Sequence, residues 1–137
     1  MAMNEIVKAK WVAALRSGEF QQCKGTLRKG DSFCCLGVLS ELAVRDGVIM
    51  PAQVLPETDW RSSRGDGLPV YVYNNEAGHL PTAVAKWAGL SYSYDNWDGE
   101  VGHEPDVDPS VDGRELSGLN DSGLPFSEIA DVIERGL

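Results

Sequence analysis

Five residues in this chain carry a thiol or imidazole that could act as nucleophile, base or zinc ligand: Cys23, Cys34, Cys35, His79 and His103. A cysteine near the start of a helix has its thiolate stabilised by the helix dipole, so Cys34 or Cys35 could serve as a nucleophile, with His79 or His103 as base. Both cysteines, however, sit between Phe33 and Leu36. In such surroundings cysteine behaves as a small hydrophobe, and the packing role is the expectation. The same five residues show no paired spacing of the C-x₂-C or H-x₃-H kind, so no zinc site is expected. Asp106, Asp108 and Asp112-Gly113 bring hard oxygen ligands close together. The calcium-loop pattern nonetheless fails, because Val111 takes the invariant glycine position and Ser117 the last ligand position. No nucleophile elbow, phosphate loop or dinucleotide fingerprint is present, so no cofactor is implied.

The elements that position these residues are organised around Phe33–Val44, which is apolar almost all the way round if helical and therefore belongs inside. Gly37 interrupts it at a cost of about 1 kcal/mol relative to alanine. Close approach of another backbone is the expected compensation. The turn Gly30-Asp31-Ser32 offers this helix an N-cap, and Arg45-Asp46-Gly47 closes it. Before it, Asn4 caps a helix over 5–17 whose Val7, Trp11, Ala14 and Leu15 form one stripe, ended by Ser17-Gly18. Glu19–Lys29 reads as an irregular strand or hairpin on the surface. After the central helix, Val48–Met50 reads as a short strand and 52–67 as turn-like chain.

Val70-Tyr71-Val72-Tyr73 alternates as a strand does, with the valines expected toward the helices. Leu80-Pro81 opens a helix carrying Val84, Trp87 and Ala88, stopped by Gly89, and Pro125 opens a last helix on Phe126, Ile129, Ala130 and Ile133. The expected fold is a single α+β domain, a small antiparallel or mixed sheet packed on three to five helices around the buried helix near 33–45. At 137 residues the chain can bury such a core without staples.

Charge divides the chain. Residues 1–50 carry seven basic and five acidic side chains, a net of +2, and the remainder five and sixteen, a net of -11. Within 91–112 there is no helical period, and Tyr92, Tyr94 and Trp97 lie among Asp95, Asp98, Glu100, Glu104, Asp106 and Asp108. Aromatics among carboxylates suit a protein partner with a basic surface and repel nucleic acid, so no direct nucleic-acid binding is expected. A second possibility is a site for a small nucleotide, in which Lys24, Arg28 and Lys29 hold phosphate and Tyr71 and Tyr73 offer a face. No apolar run is long enough to span a bilayer, the start lacks a signal pattern, and three cysteines make a poor disulfide framework. The expected location is the cytoplasm.

Three stretches carry a resemblance: Trp11-x-x-Ala14-Leu15-Arg16-Ser17-Gly18 with Gln22-x-x-Gly25-x-Leu27-Arg28 and Phe33-Cys34-Cys35-Leu36-Gly37-Val38-Leu39; then Leu80-Pro81-x-x-Val84-x-x-Trp87-Ala88-Gly89-Leu90; then Leu119-Asn120-Asp121-x-Gly123-x-x-Phe126-x-x-Ile129-Ala130-Asp131-x-Ile133-Glu134. The chain resembles small proteins of unassigned function encoded by tailed phages and prophages. That likeness implies an origin and brings no catalytic residues with it. Small acidic phage proteins often act on host machinery, so it implies an accessory protein that binds a host protein, such as a nucleic-acid-handling defence enzyme, in the host cytoplasm. Sequestration of a nucleotide signal and a small cysteine-dependent enzyme are the competing expectations.

Overall fold

The computed structural model describes residues 4–65, 67–78, 80–89 and 118–136. Helix α1 runs Glu5–Ser17, where Asn4 Oδ1 accepts from the amides of Ile6 and Val7 and Gly18, at φ 79°, ends it in the left-handed conformation. Its Val7, Trp11, Ala14 and Leu15 are buried as the stripe requires. Trp11 is a core anchor: it is fully enclosed, and its indole Nε1 donates to the Cys35 carbonyl at 2.9 Å.

Five short strands form one mixed sheet: β1 (Gln21–Gln22), β2 (Arg28–Lys29), β3 (Ser32–Phe33), β4 (Gln53–Val54) and β5 (Val70–Val72). Their order is β1-β3-β2-β5-β4, with β1 parallel to β3 and every other pair antiparallel. The 19–29 stretch therefore does contribute strands, but it does not stay on the surface, because Thr26 and Leu27 between β1 and β2 are buried.

Helix α2 spans Cys35–Arg45. Ser32 and Phe33 belong to β3, so the cap is Cys34, whose Sγ accepts from Gly37 N at 3.4 Å, and not a side chain of the preceding turn. Eight of its residues are buried, including the backbone-exposing Gly37 and the hydroxyl-bearing Ser40, which donates to the Leu36 carbonyl. The expected close approach at Gly37 is present, since a Cβ there would lie 1.8 Å from the Leu27 carbonyl oxygen.

Three readings downstream of α2 are corrected. Val48–Met50 pairs with no strand; the chain bends there, and the strand forms later, at β4. The 52–67 stretch also holds a 3₁₀ helix, Trp60–Gly65. The strand around Tyr71 is where expected, but its faces are reversed. Val70 and Val72 close a small separate cluster with Leu55 and Ala77, while Tyr73 enters the main core beside the helices. Helix α3 (Thr82–Ala88) starts one residue later than expected, with Pro81 as its cap, and stops at Gly89. Described residues 118–121 form α4, and α5 (Phe126–Gly136) lays Phe126, Ile129, Ala130 and Ile133 into the core. Helices α1 and α3 pack on α2, and α5 packs chiefly on α1. Among the described residues, no helix is long and apolar enough to cross a membrane.

Candidate functional site

The three cysteines form no disulfide and are buried. Burial pushes the Cys34 thiol up to about 12 and the Cys35 thiol well above its usual range; Cys23 rises for the same reason. The dipole at the α2 start does not overcome this, because a thiolate at Cys34 or Cys35 would have no solvent around it. Neutral, enclosed thiols are weak nucleophiles. A thiol-reactive disulfide probe at neutral pH is therefore expected to label none of the three until the chain is denatured; rapid labelling of the native protein would contradict this. The shift also fixes a pH trend. Above the ordinary thiol pKa the unfolded chain releases protons that folded Cys34 retains, so stability falls as pH rises from about 9 toward 12.

The proposed phosphate-holding residues do not converge. Arg28 and Lys29 are neighbours in β2, so their side chains leave opposite faces of the sheet, and Lys24 is exposed in the loop before it, with Nζ near Gly123. Arg28 is already engaged. Its guanidinium lies 4.1 Å from the centre of the Tyr71 ring and 5.1 Å from that of Phe33, the residues opposite it on the two flanking strands. Its Nε donates to the Gly30 carbonyl at 2.9 Å, and Asp31 stands 3.7 Å away. Such a cation between two rings braces the sheet. Tyr73 is fully buried, so its ring is unavailable for stacking on a base; this corrects the expected Tyr71/Tyr73 face. The Tyr73 hydroxyl donates to Glu41 Oε1 at 2.9 Å, and burial with the nearby Glu41 charge raises its pKa against the opposing effect of Arg28.

Sequence reasoning missed one polar constellation. Asn120 is completely buried, yet every part of its amide is used. Its Oδ1 accepts from Gln22 Nε2 at 2.9 Å and from Cys35 N at 3.2 Å, and its Nδ2 donates to the Cys23 carbonyl at 2.8 Å. Around it, Gln22 Nε2 also reaches the Leu124 carbonyl, and Asp121 Oδ1 accepts from Gly25 N at 3.0 Å. One side chain thus joins β1, the start of α2 and α4. The available signal was that Gln22, Gly25, Asn120 and Asp121 all stand in the stretches carrying the phage-protein resemblance. They meet in space across almost the whole length of the chain.

The aromatic and acidic residues Tyr92, Tyr94, Asp95, Trp97, Asp98, Glu100, Glu104, Asp106 and Asp108 lie outside the described residues, as do His79 and His103. The surrounding frame still bears on them through charge. The described residues carry eleven basic and twelve acidic side chains, a net of -1, whereas 90–117 carry eight acidic side chains and Arg114, a net of -7. The frame also neutralises itself locally. Arg16 bonds Asp131 and Glu134 at 2.6 and 2.7 Å, Arg45 bonds Glu19 at 2.6 Å, Lys10 approaches Asp46, and Arg61 holds Asp59 below the usual carboxylate range. The pairs of Arg16, Arg45 and Lys10 are solvent-exposed and contribute little stability, and by the count of eleven basic against twelve acidic side chains the described frame has almost no net charge.

The described residues form a small α+β fold in which the buried Asn120 and Ser40 side chains are hydrogen-bonded, and most of the chain's net negative charge lies in the sequence between α3 and α4. The chain belongs to the domain-of-unknown-function family DUF8296, which it matches over residues 3–137. No curated protein and no solved structure matches it significantly.

Proposed function

We propose that this is a phage-encoded accessory protein that acts without catalysis, by binding a host protein with a basic surface in the host cytoplasm. The binding residues are Tyr92, Tyr94, Asp95, Trp97, Asp98, Glu100, Glu104, Asp106 and Asp108. The observation that carries this reading is the partition of charge: a net of -1 on the described frame against -7 on 90–117. Uniform acidity would serve solubility alone. A surplus gathered on one aromatic-containing segment produces a local field that speeds encounter with a cationic surface and discriminates against anionic ones. A nucleic-acid-handling defence enzyme, whose surface is built to receive phosphates, is the kind of partner such carboxylates would occupy.

The test replaces Asp95, Asp98, Glu100, Glu104, Asp106 and Asp108 by their amides and compares capture from host lysate at low and high salt. The parent chain is expected to retain a specific protein that is released as salt rises, and the amide variant to retain none, at an unchanged melting temperature. Equal capture by the two chains, or capture indifferent to salt, overturns the reading.

A further inference from the structure

One side of α1 faces away from the core. Ile6, Ala9 and Ala13 are exposed there at spacings of three and four. An open groove runs along this side, with Ala9 and Ala13 on its floor and Glu5, Lys8 and Arg16 of α1 and Glu134 of α5 at its rim. Arg16 and Glu134 are paired with each other at 2.7 Å and both remain solvent-exposed. Glu5 and Lys8 stand one turn apart at the opposite end, and among the described residues neither has an ion-pair partner.

The order of these charges selects the occupant. From the start of α1 the rim reads acid then base, Glu5 and Lys8, and at the far end base with acid, Arg16 and Glu134. A copy of this face laid alongside in parallel sets like charge against like. Turned antiparallel, about a two-fold axis between Ala9 and Ala13, the same face matches itself. Glu5 then comes within one residue's rise, about 1.5 Å along the axis, of Arg16 in the second copy, and Lys8 turns toward its Glu134. The symmetry repeats both contacts. Alanine at the axis lets the two backbones approach closely, and Ile6 is covered instead of standing in water. The described frame, at a net of -1, sets no strong repulsion between two such faces. We infer that this face of α1 is a two-fold interface on which a second copy of the chain docks antiparallel, with Ala9 and Ala13 at its centre and Glu5 and Lys8 of each copy against Arg16 and Glu134 of the other.

The test is the oligomeric state of the full-length chain, followed by analytical ultracentrifugation at about 0.15 M salt, where fields reaching beyond about 8 Å are screened. One pair of helices buries less than the roughly 1,200 Å² of a stable specific interface, so the expected dimer is weak, with a Kd on the order of 10–100 μM. Exchanging two charges, Glu5→Lys together with Lys8→Glu, keeps the chain's net charge at -9 and sets like charges against Arg16 and Glu134. That variant is expected to associate about tenfold more weakly, or less. Ala13→Gln, at an exposed position and compatible with a helix, is expected to weaken association as much by holding the two backbones apart, with the melting temperature of the dilute protein unchanged. A parent chain that stays monomeric up to about 0.5 mM overturns the inference and leaves this face to a different protein. A dimer that either variant leaves intact also overturns it, by placing the contact elsewhere on the surface.

Discussion

Replacing Gly37 by alanine is expected to destabilise the protein by about 2 kcal/mol or more, although the same change in most helix interiors stabilises. Propensity alone favours alanine by about 1 kcal/mol. Against it stands the Leu27 carbonyl, whose oxygen and carbon would lie 1.8 and 2.7 Å from the new Cβ. No rotamer relieves that contact, because both partners are backbone. Nor can Leu27 retreat cheaply, since its amide donates to Ala77 O at 2.6 Å and its carbonyl accepts from Cys34 N at 3.1 Å. Overpacking costs about 1–3 kcal/mol even where side chains can adjust, and a backbone clash belongs at or above the top of that range. For a chain of this size the net loss lowers the melting temperature by about 8 °C. Thermal or urea unfolding followed by circular dichroism checks it, and an unchanged or raised midpoint would show that the 23–27 loop does not press on α2 in solution.

Gly37 also shows what a sequence can disclose. A glycine within a helix that is apolar on every side announces a close neighbour, because nothing else offsets its cost, and the neighbour's identity is then a matter of tertiary geometry. Leu27 lies ten residues earlier in a stretch that reads as polar surface chain. Local signals placed α1, α2 and α5 well: Asn4, Gly18 and the Val7–Trp11–Leu15 stripe each act through nearest turns. The strands were less legible, since four of the five are two residues long and too short to show alternation. The alternation of Val70–Tyr73 was visible, but its facing was not. The valines meet Leu55 and Ala77 from irregular chain, and the core takes Tyr73 because Glu41 on α2 supplies a partner for its hydroxyl. The candidate nucleotide residues failed on a similar point: Arg28 next to Lys29 reads as clustered charge, whereas a strand sends them apart.

Asn120→Ala is expected to cost about 2–4 kcal/mol, because it removes the partner of three polar groups, two at the end of β1 and one at the start of α2. Cys35 N, the Cys23 carbonyl and Gln22 Nε2 each lose a hydrogen bond in a region where Asn120 itself is wholly buried. Leaving a buried donor or acceptor unmatched costs about 1–3 kcal/mol, and water entering the space left by the amide recovers part of the total. A sharper test is Asn120→Asp, which keeps the shape and both Oδ1 contacts. The atom that donated to Cys23 O becomes a carboxylate oxygen facing that carbonyl oxygen, unless it is protonated. Burial and this repulsion raise the pKa of the introduced carboxyl in the folded state above its unfolded value of about 3.9. The variant should then approach parental stability below that unfolded value and lose stability as pH rises through the folded pKa, whereas the parent shows no such loss across this window from position 120. Urea midpoints measured from acid to neutral pH distinguish the cases. A variant whose deficit does not change with pH would mean that the amide faces water and that the join between β1, α2 and α4 is made by packing alone.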